Sequence, residues 1–131
     1  VDFNLPQDEV RKREKAKLYE RTLDHLFYSY VFPKDSTAFS EYADIQYFFD
    51  KLGGVEIINV SVFLNDSIQQ VQLIETYNQY FNYRYGESSP DDYGYAVWKG
   101  TMEAEDDDYD YSVGLIPLQD EYGIVLEYLR D

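Results

Sequence analysis

The sequence predicts an α+β fold with about three helices packed on one face of a curved antiparallel sheet of about four strands. Three observations carry that expectation. Apolar residues before position 52 recur at helical intervals. Residues 55–64 alternate apolar and polar with period two. The chain after residue 94 falls into three aromatic-rich runs separated by turn residues. The expected order is α-α-β-α-β-β-β in a single domain, residues 1–131, with a helical part over 8–52 and a mainly sheet part over 55–131.

Residues 1–7 (VDFNLPQ) read as an extended arm. A first helix is expected from Asp8 to about Val31, with Asp8 and Glu9 suited to the positive end of its dipole. Tyr19, Leu23, Leu26, Phe27 and Tyr30 would form its stripe, and Pro33 would end it. A second helix is expected from Thr37 to Leu52, capped by Asp35 or Ser36 and stopped by Gly53-Gly54. Its stripe would be Phe39, Tyr42, Gln46, Phe49 and Leu52. Val55–Leu64 reads as a strand that sends Ile58, Val60, Val62 and Leu64 to one face. Ser67 and Gln70 resemble a capping box, which predicts a third helix over Ile68–Tyr83. Residues 86–94 read as a loop, and strands are expected over Tyr95–Ala104, Tyr109–Leu118 and Tyr122–Leu129.

This element order is loosely similar to that of cone-shaped nuclear-transport-factor-2-like domains, a likeness of order alone that no motif residue carries. It implies a small-molecule-binding cone as one function class.

Composition narrows the classes further. With 26 acidic and 11 basic residues the net charge is −15, which opposes nucleic acid and anionic membranes and favours basic partners or cations. Residues 1–21 carry +1, so the remaining chain carries −16. No cysteine is present, which excludes disulfides, thiolate metal sites and a cysteine nucleophile. No apolar run approaches the roughly 18 residues of a membrane span, so no transmembrane segment is expected. Val1 rather than Met opens the chain, which is expected where an upstream part has been removed, and no compartment is assigned.

Between Glu103 and Asp110 stand six carboxylates in eight positions with no base: Glu103, Glu105, Asp106, Asp107, Asp108 and Asp110. Crowded like charges are costly without a cation or a basic partner. Asp106, Asp108 and Asp110 imitate the start of a calcium loop, but Tyr111 stands where its glycine belongs and Pro117 where its bidentate Glu belongs, so no metal site is expected. Tyr109 and Tyr111 adjoin the run, and tyrosine is favoured at interfaces. These eight residues are the expected binding site. His25 is the lone histidine and has no nucleophile motif beside it, so no catalytic residue and no cofactor are expected. The basic stretch Arg11–Lys17 reads as a solvated helix end, and the triplets starting at Asn59 and Asn65 match the glycosylation pattern.

The sequence therefore favours a non-enzymatic acidic domain that engages a basic protein, as an inhibitor, an immunity protein or a nucleic-acid mimic would. The alternative is a structural or assembly subunit of an envelope complex or virion, with which self-association is compatible.

Overall fold

The computed structural model describes residues 3–31, 40–102 and 109–130. Its elements are α1 (Gln7–Arg13), β1 (Lys17–Arg21), β2 (His25–Val31), β3 (Ser40–Phe49), β4 (Val55–Leu64), α2 (Ser67–Tyr85), β5 (Ser89–Pro90), β6 (Ala96–Met102), β7 (Tyr109–Pro117) and β8 (Gly123–Arg130). Among the described residues the strands form one antiparallel sheet in the order β1-β2-β3-β4-β8-β7-β6-β5. Two four-stranded meanders meet where β4 pairs with β8, and α2 carries the chain from that centre to the far edge.

The expectation of three helices on a four-stranded sheet is overturned by this arrangement of two helices and eight strands. The helix expected over Asp8–Val31 stops at Arg13, and β1 and β2 follow it. The helix expected over Thr37–Leu52 is replaced by β3 in the part that is described. The physical reason is a coincidence of periods. Tyr19, Leu23 and Phe27, and likewise Tyr42 and Gln46, stand four apart. Four residues is close to one helical turn, but it is also two repeats of a strand. Tertiary pairing decides: Leu26 and Tyr28 are buried, and Leu23 sits in a turn at 99% exposure. That turn is closed by Thr22 Oγ1, which donates to Asp24 Oδ1 at 3.0 Å.

A second turn explains why residues 50–54 end a strand and not a helix. Asp50 Oδ1 accepts from the backbone N–H groups of Leu52 (2.9 Å) and Gly54 (3.1 Å). Gly53 takes φ 87°, a conformation that glycine adopts without a side-chain penalty. Leu52 then projects outward, 96% exposed.

Other expectations hold in kind. Val55–Leu64 is a strand with Val62 and Leu64 buried. The third helix is present, but Asp66 caps it, accepting from Gln69 N at 2.8 Å, where the Ser67 capping box was expected. The three C-terminal strands occur within a residue or two of their expected limits, and Ser89–Pro90 adds a short strand inside the expected loop.

Register places Leu26, Tyr47, Ile58, Tyr128, Val113 and Trp98 in one row across six strands, and Tyr28, Ile45, Val60, Leu126, Leu115 and Ala96 in the next. This is the covered face. Its largest buried side chain, Trp98, stacks at an angle on Phe81 of α2 (5.0 Å between centroids) and donates Nε1–H to Asn82 Oδ1 at 2.9 Å. The N-terminal arm lies along the start of β4, with Asn4 N donating to Val55 O at 2.9 Å and Val55 N to Leu5 O at 3.0 Å. It brings Phe3 onto Tyr109 and Tyr111, both at 5.9 Å. Beyond it Val10 of α1 is fully buried, and the Tyr47 hydroxyl donates to Glu14. Leu26, Phe49, Val62, Phe81, Val113, Ile124 and Leu126 are buried as their apolar character predicts; Phe27, Val60, Ile74 and Val97 are half-buried, and Leu23 is exposed.

The opposite face carries His25, Phe48, Ile57 and Leu129 in one row and Phe27, Gln46, Asn59 and Glu127 in another. These side chains are half-buried. At the sheet margin β1 is a short edge strand with exposed Lys17, Glu20 and Arg21 and a register shift, features that discourage edge-to-edge pairing. No helix among the described residues is long and apolar enough to cross a membrane.

One ion pair ties three elements together. Arg130 of β8 donates to Asp50 Oδ2 at 2.7 Å and also to Asn4 Oδ1. The guanidinium hydrogen bond holds the Asp50 carboxyl below its usual pKa.

Two outcomes follow. Trp98→Ala should lower the unfolding free energy by about 3–5 kcal/mol in urea, whereas Leu23→Ala should leave the midpoint in place. Arg130→Met should lower stability by about 1–2 kcal/mol near neutral pH. A depressed carboxyl pKa stabilises the fold above the unfolded-state pKa and ceases to do so as pH falls through the folded value. The gap between wild type and Arg130→Met should therefore be flat from about pH 8 to 5 and shrink below about pH 4.

Candidate functional site

Of the residues expected to bind, Glu103, Glu105, Asp106, Asp107 and Asp108 lie outside the described residues. The described remainder separates. Asp110 is exposed at the start of β7 and accepts from Thr101 Oγ1 at 2.9 Å. Tyr109 is half-buried against Phe3, and Tyr111 is buried, its hydroxyl donating to Tyr85 Oη at 2.9 Å. Tyr111 thus faces the interior and not the surface beside Asp110, as alternation along a strand requires. Gly100 makes this possible: a Cβ there would stand 2.7 Å from the Tyr111 ring.

His25 stacks on Phe48 across the β2–β3 pair (4.7 Å), and its Nε2 lies 3.0 Å from Gln46 Oε1. Among the described residues there is no group of three or more His, Asp or Glu placed to hold a metal ion.

A different constellation forms at the β7–β8 end of the sheet. The turn between these strands is drawn onto the sheet by two hydrogen bonds, Leu64 N to Tyr122 O and Gln70 Nε2 to Gly123 O, both 2.8 Å. This holds the turn's side chains beside the ends of β3 and β4. There the Tyr42 and Phe63 rings stack at 4.4 Å with 18° between their planes. Between rings and turn opens a cleft of about 540 Å³. Asp120, Glu121 and Tyr122 form one wall, and among the described residues no Lys, Arg or His lines it.

Neither Asp120 nor Glu121 has a hydrogen-bond or ion-pair partner among the described residues. Adjacent carboxylates beside the π-faces of aromatic rings attract cations twice over, by direct charge and through the ring quadrupole. The arrangement suits a guanidinium or ammonium group better than a neutral or anionic one.

Gln119-Asp120-Glu121 falls between the expected strands Tyr109–Leu118 and Tyr122–Leu129, where the sequence predicts a turn and no site. The acids were visible, but their aromatic partners were not. A helix over Thr37–Leu52 would place Tyr42 beside Gln46 and Phe49, whereas the β3–β4 register puts it opposite Phe63. Period-two alternation of Tyr42, Asp44, Gln46 and Phe48 was the signal available.

A second, mainly apolar cavity of about 350 Å³ opens on the covered face between the N-terminal arm and the end of α2. Its floor is Ile45, Ile58 and Val60.

Compared with known protein families, curated proteins and solved structures, the chain matches none of them.

Proposed function

We propose that this chain is a non-enzymatic acidic binding domain that engages a basic protein, and that the cleft beside the β7–β8 turn receives one of that partner's Arg or Lys side chains. The observation that supports this is the lining of the cleft: two adjacent carboxylates, a stacked aromatic pair and, among the described residues, no base. Charge-assisted hydrogen bonds to Asp120 or Glu121 would fix the cationic group, and the Tyr42, Phe63 and Tyr122 rings would cover its apolar stem. The net charge of −15 would steer a basic partner toward the whole domain.

The residues Glu103, Glu105, Asp106, Asp107, Asp108 and Asp110 remain part of this proposal through charge, whereas Tyr109 and Tyr111 turn toward Phe3 and Tyr85. Six carboxylates close together in sequence would accelerate encounter with a basic surface and make its rate salt-dependent.

The two contributions separate experimentally. Binding of an Arg-rich peptide is followed by fluorescence anisotropy. Asp120→Asn combined with Glu121→Gln should weaken affinity about tenfold. A charge-matched control at exposed positions, Glu87→Gln with Asp92→Asn, should cost about twofold or less. Equal losses would mean that bulk charge, and not the cleft, binds the peptide. Replacing Asp106, Asp107, Asp108 and Asp110 with Asn should slow association at low salt much more than at high salt.

A further inference from the structure

We propose that the cavity on the covered face is a second binding site, for a small apolar molecule that carries one carboxylate, with Arg84 holding that carboxylate at the mouth. Its volume of about 350 Å³ lies within the range of small-molecule sites, which are mostly apolar with a few placed polar groups. Phe3 and Met102 wall it above the aliphatic floor.

The polar groups at this cavity decide the ligand class. Arg84 has no carboxylate partner among the described residues, on a chain with 26 acidic residues. Its guanidinium is held in place by the Tyr80 hydroxyl at 3.4 Å and the Tyr85 ring, whose centroid lies 5.5 Å from Cζ. The guanidinium is engaged by Tyr80 and Tyr85, and these two contacts leave part of its five N–H donors over. Tyr111 and Tyr85 share one hydrogen bond between two hydroxyls, which leaves one O–H over. The Tyr128 hydroxyl makes no hydrogen bond to a described residue, and burial pushes its pKa up to about 12. Burial, with the Tyr111 hydrogen bond, raises Tyr85 in the same direction. Both phenols therefore stay protonated donors at neutral pH. Tyr47, the remaining phenol, is already engaged by Glu14.

So the cavity presents unused donors, one positive charge and, among the described residues, no acidic side chain in its lining. A cation would meet Arg84 and gain no counter-charge there. A carboxylate fits the guanidinium fork with two parallel hydrogen bonds, and the phenols supply further donors. One guanidinium matches one negative charge, and the strong acidity of the chain discriminates against ligands that carry several. This site is separate from the cleft at the β7–β8 turn and has the opposite charge preference.

Isothermal titration calorimetry on the full chain, with ten-carbon probes below their micelle concentrations, tests the assignment. Decanoate should bind one to one, decanol more weakly and decyltrimethylammonium not measurably. Arg84→Met keeps the bulk of an exposed side chain and should weaken decanoate at least tenfold while leaving decanol within twofold. Tyr128→Phe, which removes only the hydroxyl, should weaken decanoate severalfold. Absent decanoate binding, binding of the cation as tight as of the acid, or an unchanged decanoate affinity in Arg84→Met would each overturn the proposal. Tighter binding of decyl phosphate than of decanoate would overturn the carboxylate assignment.

Discussion

The pairing of β4 with β8 is the interaction on which the molecule depends. Each N- and C-terminal meander is local, built from neighbours in sequence. Among the described strands, the ladder from Ile57↔Leu129 to Phe63↔Gly123 is the pairing that joins them, across some seventy residues of chain at its far end. Without it both meanders would expose a long edge, and the covered face would be split into two halves too narrow to hide their aromatics. Closing so long a loop costs entropy before any contact repays it, so this seam is the natural late step of folding. The Arg130 contacts to Asp50 and Asn4 lie at one end of the seam, and the hydrogen bonds of Leu64 and Gln70 to the β7–β8 turn lie at the other. Both candidate sites are therefore consequences of the seam.

The covered face shows how a chain rich in tyrosine makes an interior. Tyr28, Tyr47 and Tyr111 are buried, and their rings meet others edge-on or tilted near 6 Å, an arrangement favoured by aromatic quadrupoles. Each hydroxyl buried this way needs a partner or a route to solvent. Tyr47 finds Glu14 and Tyr111 finds Tyr85, while Tyr128 is left at the cavity. The same residue type that closes the core thus also lines a cavity in it. At the other end of the sheet Tyr42 serves the opposite purpose, stacking on Phe63 beside two carboxylates. Two clefts on one small sheet come to differ in sign because Arg84 stands at one and Asp120 and Glu121 at the other.

What could be read from the sequence was whatever a single period specifies. Asn59 and Ser61 alternate with Ile58, Val60 and Val62, and the runs after residue 94 are bounded by turn residues, so the longer strands of that half were legible to within a residue or two. The helix at 67–85 was legible because Val71, Ile74, Asn78, Phe81 and Tyr85 stand three or four apart and Ser67 with Gln70 resembles a capping box, one residue past the Asp66 that caps it. Residues 17–49 were not legible, because their spacing of four satisfies a helix and a strand alike, and local propensity gives way to pairing there. Burial followed: Leu23 falls on the apolar stripe of a helix but at the tip of a hairpin.

By itself, then, the sequence determined the charge, the absence of thiol chemistry, the four longer strands from residue 55 onward and the long helix. These depend on composition or on contacts close along the chain. The tertiary structure alone decided the strand identity of the N-terminal third, the order of the sheet and both clefts. Tyr42 meets Phe63 only through strand register, and Arg84 meets Tyr128 and Phe3 at one cavity only because β8 and the N-terminal arm both return to β4. Such meetings join residues tens of positions apart, and no local periodicity encodes which of the many compact pairings buries the most apolar surface with its polar groups satisfied.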